Sequence, residues 1–470
     1  MTEKDFIPKT YTNSVENGTA TWSSPSNIAL VKYWGKKDNQ IPANPSISFT
    51  LDACKTTTTL TFSKKERNDD FSFEVFLDGE KKYDFKPKIE TFFKRIENYV
   101  PFLKEYHFVI NTKNTFPHSS GIASSASGMS ALALCLMSVE KQLISIVRSS
   151  GVETSLDENH FNQKASFLAR LGSGSACRSL EGDLIVWGEH KEIPNSSNLF
   201  GVKYPFEVHE NFKNYHDTIL LVDKGEKQVS STVGHNLMHN HPFAEQRFAQ
   251  AHNNLSKLIP VFKEGNLKSF IDIVESEALT LHGMMMTSMP YFILMKPNTL
   301  EIINKIWRFR QDTGLHICFT LDAGANVHIL YPENEAEKII SLFRSARIAT
   351  RAHRVTSEAD LTEHLKEQAW DMIIFDGAHA EVGTSFSLKA IKASGQEIPS
   401  ILINASADDE LIQKCYQQGV SAVVATTDAA FIQLAHREMM ACAKLRGFKS
   451  LEEEFSELQS RAEKLLSNSD

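Results

Sequence analysis

Four short strings in this 470-residue chain place cations, hydroxyls, glycines and a carboxylate where anion chemistry could be done. The first, PHSSGIASSASG, runs from Pro117 to Gly128 between a strand-like and a helix-like stretch. Small residues let the backbone approach an anion, and free N–H groups at a helix start favour phosphate. The hydroxyls of Ser124 and Ser125 could donate to phosphate oxygens or reach a magnesium ion. A Walker-type GxxxxGK[ST] loop is absent, and a Ser/Gly run can also serve only for close helix packing. The second, NIALVKYWGK, sets Lys32 in an apolar run, on the same face as Leu30 and Trp34 if the strand alternates. A lysine there needs an anion or a depressed pKa, unless it snorkels from an edge.

The third string, RLGSGSACRS from Arg170 to Ser179, offers the hydroxyls of Ser173 and Ser175 and the planar fork of Arg178, suited to carboxylate or phosphate. Its bland alternative is a turn with a surface arginine. The fourth, LDAGANVHIL, puts Asp322 on a tight turn between two apolar strands, as a general base, a metal ligand or simply a turn-capping residue.

The elements that would carry these strings can be read from periodicity. Residues 1–20 read as a flexible arm. ISFTLDA, TTTTLTF and FSFEVFL are strand-like, with a polar KKERNDD turn before the last. Residues 87–103 and 160–171 repeat apolar positions at helical spacing, and ASGMSALALCLMSVEKQL reads as a buried helix. DLIVWGEH and DTILLVD read as strands, 244–314 as mainly helical, and HICFTLDAGANVHILYP as strand, turn, strand. Such mixing, with hairpin-like pairs, predicts an α+β fold. After about residue 345 the pattern changes to short apolar strands (DMIIFD, SILINA, AVVAT) alternating with amphipathic helices, which predicts a parallel α/β unit. Residues 449–466 read as a charged amphipathic helix.

Composition agrees with a soluble, cytoplasmic, multidomain protein: 41% hydrophobic, 23% charged, net charge −8. The mild acidity argues against nucleic acid as a partner. No apolar run is long enough for a membrane span, and the start lacks a signal peptide's apolar core. The six cysteines are scattered, without CxxC spacing, and read as reduced thiols.

Taken together and in this order, the four strings resemble the signatures of the diphosphomevalonate decarboxylases, members of the GHMP kinase superfamily, over about residues 15–340. The resemblance implies a ribosomal-S5-like domain (21–190), a ferredoxin-like domain (191–345) and a homodimer. It implies ATP with Mg²⁺ as cofactors and diphosphomevalonate as substrate. Gly121, Ser124 and Ser125 would cradle ATP phosphates. Tyr33, Lys36, Ser173, Ser175 and Arg178 would hold the substrate's diphosphate and carboxylate. Asp322 would orient or deprotonate the tertiary hydroxyl, Lys32 would neutralise charge on the moving phosphoryl group, and Arg178 would join them in catalysis. His118, Ser119 and Ser120 depart from the family's small-residue run, as does NPSIS at 44–48 from its commoner Asn-Ser-Ser. The rival readings are a related GHMP kinase that stops at the phosphorylated product and a signalling or scaffold fusion with an inactive enzyme half.

Residues 346–445 resemble a degenerate receiver domain, a partial flavodoxin-like unit whose surface could contact another protein. Asp376 stands at the phosphoacceptor position, Asn404 where Ser or Thr is expected, and Thr426 or Thr427 where the lysine belongs. The segment VHILYPENEAEKIISLFRSA is claimed by both resemblances, and one strand cannot serve two sheets.

Overall fold

The structure, a computed structural model, describes residues 1–345 except 12, 68–69, 117–121, 123, 145–156, 181 and 224–230. Beyond these it describes residue 366 and three strands. The chain divides into two compact units, Met1–Ile348 and Ala349–Asp470.

The first unit opens with two long strands, β1 (Asn17–Val31) and β2 (Ser46–Lys64), paired antiparallel from Asn17↔Ser63 to Val31↔Ile47. β3 (Ser72–Leu77) and β4 (Glu80–Lys81) form a hairpin. Asp78 and Gly79 at its tip both take positive φ, 50° and 85°, the conformation that a tight hairpin turn requires. After helix α1 (Lys86–Ile96), strand β5 (Tyr106–Asn114) inserts between β3 and β2, parallel to the first and antiparallel to the second. Helices α2 (Ser124–Ile144) and α3 (Glu158–Gly172) follow, then β6 (Leu184–Trp187) and β7 (Val202–Lys203). The sheet order is β4-β3-β5-β2-β6-β7, with β1 also on β2. α2 is apolar on nearly every side because it packs on both the sheet and α3, and its Leu132, Cys135, Leu136 and Met137 join one core with Phe92, Phe93, Phe108 and Phe167.

The second half of this unit runs β8 (His216–Leu220), α4 (Ser231–Asn236), α5 (Ala244–Glu264), α6 (Leu267–Met286), α7 (Pro297–Thr313), β9 (Cys318–Thr320), β10 (Val327–Tyr331) and α8 (Ala336–Ser345). β8-β10-β9 is an antiparallel sheet. α5 stops at Gly265, whose φ of +74° forms a left-handed cap, and Asn266 then caps α6 by accepting from Ser269 N at 3.0 Å.

The mixed α+β reading holds for this unit. The flexible arm does not. Phe6 is buried and stacks on Phe167 with centroids 4.5 Å apart, Tyr11 donates to Glu140 at 2.9 Å, and residues 17–20 already belong to β1. Aromatic anchors at positions 6 and 11 outweigh the polar residues between them. β10 is paired on both edges and Ile339 of α8 is fully buried, so the contested segment belongs to the first unit.

In the second unit β11 (Ile373–Asp376), β12 (Ser400–Ile403) and β13 (Ala422–Val424) pair in parallel, in that order. Apart from Lys366, the residues of its expected helices, the helix at 449–466, and Asn404, Thr426 and Thr427 lie outside the described residues. Among the described residues no helix is long and apolar enough to cross a membrane.

Candidate active site

Lys32 follows directly on β1. The strand's pairing shifts register between Ala29 and Val31, so the simple alternation linking Leu30 to Lys32 is broken there. Such bulges re-aim side chains beside sites. Residues 26–31 are buried on both faces because α5 and α6 cover the end of β1, and Leu30 and Val31 share a core with Leu255 and Phe270. The Lys32 backbone is clamped. Its N–H donates to Glu277 Oε2 at 2.8 Å, and its carbonyl accepts from Asn44 Nδ2 at 2.9 Å and Arg247 Nη2 at 3.0 Å. Glu277 on α6 in turn accepts from both terminal nitrogens of Arg247 on α5, Nη1 at 3.0 Å, and from Asn254 Nδ2 at 2.7 Å. These groups are all buried, so removing one would strand the others at a cost of about 3–5 kcal/mol.

The lysine head is 2% exposed and lies 3.0 Å from Asp322 Oδ1, whose side chain is 34% exposed. Burial draws the Lys32 ammonium below the usual lysine range, and the attraction of Asp322 opposes it. Asp322 is held from behind, its carbonyl accepting from His282 Nε2 at 3.1 Å and Gly324 N at 2.7 Å. Asn326 closes the turn by accepting from Val222 N at 2.8 Å and Asp223 N at 3.0 Å. The turn between β9 and β10 thus sets the carboxylate against a buried cation.

The third string ends α3 at Ser173, whose N–H reaches the Ala169 carbonyl at 3.0 Å, and continues as a 3₁₀ turn, Gly174–Arg178. Arg178 is 3% exposed. It donates to Ser46 Oγ at 2.5 Å and, from Nε and Nη2, to Asn27 Oδ1 at 3.4 and 3.3 Å. Its guanidinium lies 5.8 Å from the Trp187 ring centroid. Every hydrogen-bond partner among the described residues is neutral. Burial lowers the Arg178 pKa from its ordinary value, with Asp322 and Tyr33 near enough to oppose this, but a guanidinium stays charged. Ser173 and Ser175 are half-buried on the same turn, and Asn27 ties it down through Ser175 O at 3.2 Å and Ser179 Oγ at 2.6 Å.

Tyr33 joins this turn. Its buried hydroxyl has no hydrogen-bond partner among the described residues and lies beside Gly174, where a Cβ would come within 3.0 Å of it. A buried hydroxyl left open in a polar site is suited to a ligand oxygen. Lys36 is half-buried in a loop closed by Lys37 N to Ile41 O at 2.8 Å and Ala43 N to Gly35 O at 3.1 Å. Burial and then the nearby Arg95 lower its pKa. A cleft of about 240 Å³ opens there, lined by polar residues including Lys36, Lys37, Arg95 and His239.

Ser124 and Ser125 form the first turn of α2 and are half-buried; Gly121 lies outside the described residues. Ser26 Oγ donates to Ile122 O at 3.1 Å and Ser130 Oγ to Ser179 O at 2.9 Å, which fastens this end of α2 to β1 and to the Arg178 turn. Thus Lys32, Tyr33, Arg178 and Asp322 interact directly or electrostatically, and Lys36 stands one turn of chain away. The sequence did not reveal Asn27, Asn44, Ser46, Arg247, Glu277 or His235. Asn27, Asn44 and Ser46 lie close in sequence to Lys32, but their roles depend on cross-strand register. Arg247, Asn254 and Glu277 do show helical spacing as a polar interruption of two apolar stripes, a signal for a buried charge network.

Residues 24–198 match the family model described as diphosphomevalonate decarboxylase-like N-terminal domain, and residues 218–390 that of the mevalonate 5-diphosphate decarboxylase C-terminal domain. The second match runs past the division between the compact units. The diphosphomevalonate decarboxylase of Ganoderma lucidum is 28% identical over 341 residues, covering 69% of this chain and 80% of its own. A mevalonate diphosphate decarboxylase from Legionella pneumophila superposes with a TM-score of 0.58 at 27% identity, over 71% of this chain and 98% of the other. A complex of MDDEF with MVAPP, AMPPCP and magnesium superposes with a TM-score of 0.57 at 26% identity, over 70% and 93%.

Proposed function

Since the chain belongs to the diphosphomevalonate decarboxylase family, we infer that it carries out the ATP-dependent decarboxylation of (R)-5-diphosphomevalonate to isopentenyl diphosphate, releasing ADP, phosphate and CO₂. The observation that carries this reading to the residues is Arg178, a buried cation with only neutral hydrogen-bond partners among the described residues, beside an ion pair that opens to solvent. Such a cation is stabilised by a bound anion.

The residue roles follow from charge. Tyr33, Lys36, Ser173, Ser175 and Arg178 bind the substrate's diphosphate and carboxylate. Asp322 accepts the hydrogen bond of the tertiary hydroxyl and takes its proton as the oxygen attacks the γ-phosphorus. Lys32, already at Asp322, offsets negative charge on the phosphoryl group in transit. The phosphorylated C3 oxygen then leaves as phosphate, and the electron pair of the breaking C–CO₂ bond forms the alkene. Catalysis of this kind is positioning and electrostatics. Ser124 and Ser125 meet the ATP phosphates at the start of α2, with Gly121 in the preceding loop. Their hydroxyls are hard oxygen donors that fit Mg²⁺ carried on the nucleotide, where the ion would neutralise phosphate charge.

The second unit is proposed to be an α/β module of receiver type that takes no part in the reaction. The support is three parallel strands in chain order, the arrangement that βα repeats produce. Every residue given a catalytic or binding role here precedes it.

The test is turnover of ATP with diphosphomevalonate, 5-phosphomevalonate and mevalonate, with CO₂ measured directly. Release of CO₂ and ADP in equal amounts from diphosphomevalonate alone is expected. ADP without CO₂ would make the protein a kinase, and no ATP turnover would return it to a scaffold. Acetyl phosphate should leave Asp376 unlabelled; a labelled Asp376 would make the second unit a working receiver.

A further inference from the structure

His235, on the short helix α4, is a buried polar group beside the cradle to which the reaction above gives no role. Its ring lies against Tyr33, with centroids 4.2 Å apart, and against Trp34 at 4.6 Å. Both residues belong to the string that carries Lys32 and Lys36.

The ring's tautomer is set by geometry. Gly35 N–H donates to His235 Nδ1 at 3.0 Å. A backbone amide nitrogen only donates, so Nδ1 must present its lone pair and the ring's proton sits on Nε2. A doubly protonated ring would set Nδ1–H against the Gly35 N–H. The donor is fixed as well: Gly35 has φ of +99°, and a Cβ there would come within 3.0 Å of the Phe248 ring and 3.2 Å of Ala43. Among the described residues Nε2 has no hydrogen-bond partner.

The surroundings say what Nε2–H would meet. Burial first, and then the nearby cations Lys36 and Arg178, hold the ring's pKa down at about 3. The next residue, Asn236, lines the cleft with Lys36, Lys37, Arg95 and His239, where Asp38 is the single carboxylate. This end of the cradle suits a multiply charged anion, whereas the Lys32–Asp322 end presents a carboxylate to a hydroxyl. We propose that His235 is a neutral hydrogen-bond donor to the substrate's diphosphate, acting through Nε2–H alongside Lys36. A neutral donor adds directionality at a point where a further cation would repel Lys36 and Arg178.

The inference rests on the decarboxylase reading for its substrate, and the experiment separates the two. His235→Leu removes both nitrogens, while His235→Gln keeps an amide N–H near the position of Nε2. In His235→Leu the KM for diphosphomevalonate should rise about tenfold or more, with the KM for ATP unchanged. His235→Gln should recover most of that loss. Inorganic pyrophosphate, measured by calorimetry, should bind the His235→Leu protein more weakly by a similar factor. In the wild-type protein, long-range ¹H–¹⁵N spectra at pH 7 should show a neutral ring protonated at Nε2. Equal losses in the Leu and Gln variants would reduce His235 to a packing wedge, and an unchanged KM in His235→Leu, or a ring protonated at Nδ1, would overturn the proposal. If the wild-type protein releases no CO₂, the decarboxylase reading falls, while pyrophosphate binding and the tautomer still decide His235.

Discussion

Two lysines of the first unit are buried to the same depth and neutralised in opposite ways. Lys164 on α3 lies 2.7 Å from Glu140 on α2, with 2% and 0% of their side chains exposed. Tyr11 adds a second donor to the same carboxylate oxygen. Lys32 is just as buried, yet its carboxylate, Asp322, opens a third of its side chain to solvent. Arg178, next to them, has no carboxylate in hydrogen-bonding contact among the described residues. From core to cleft, the protein's own neutralisation of its buried cations diminishes. Each unmet charge costs several kcal/mol in the free protein and is relieved only by something anionic arriving. A closed pair is a structural device, and an open one with an unmatched neighbour is a binding device.

The comparison is broken most severely at Asp322. Asp322→Asn keeps the size and loses the charge, so kcat should fall about 10²–10⁴-fold while substrate still binds. The thermal midpoint should fall as well, because Lys32 is left buried without its counter-charge. Steady-state kinetics alongside a melt would check both, and a loss below about tenfold would remove Asp322 as the base.

The mirror experiment is Glu140→Gln. It leaves Lys164 buried without its counter-charge, and stability should fall by about 3–5 kcal/mol. The kcat of the protein that remains folded should be unchanged. Urea unfolding with activity normalised to folded protein separates the effects. A variant that keeps its stability but loses turnover would show that the two pairs are not different in kind.

Arg178→Lys sharpens the gradient. The charge is kept, but a single ammonium cannot reproduce the fork that reaches Ser46 and Asn27 and still faces a ligand. The KM for diphosphomevalonate should rise about tenfold or more, with the KM for ATP spared. Near-normal kinetics would put Arg178 outside the site.

Much of this was legible in the residues and some of it could not have been. Strand–turn–strand around Asp322 and the buried helix after the Ser/Gly loop are local patterns, and local patterns survive folding. The burial of Lys32 was legible as an oddity, a lysine among Ile28, Leu30 and Val31. Its resolution was not, because Glu277 and Arg247 lie more than two hundred residues away. The bulge before Lys32 depends on register with β2, which no single strand encodes. His235 lies two hundred residues from Gly35, and only the fold brings the two together. The arm was misread because two aromatics decide its fate, and composition averages them away.

The smallest expected effect concerns acid. His235 and His282 are both buried neutral at the open site, with pKa values of about 3 and about 4, held down first by burial. Free histidine titrates near 6.5. As pH falls below that value the unfolded chain takes up protons that these folded rings refuse, so the unfolded state binds more protons and stability falls with pH. The contribution is intact above about pH 7 and is lost progressively from about 6.5 down towards the folded pKa values. By pH 5 each ring should cost about 2 kcal/mol. His160 and His252, whose pKa values burial also lowers, add a loss of the same sign elsewhere in the chain, so the His235 share is read from a variant that lacks only that ring. His235→Gln cannot titrate, and the difference in its unfolding free energy between pH 7 and pH 5 should be smaller than in the wild-type protein by about 2 kcal/mol. Urea midpoints at the two pH values measure it. Identical pH slopes in the two proteins would mean that His235 accepts a proton while folded, and the region around Lys36 and Arg178 would then hold more negative charge than its residues supply.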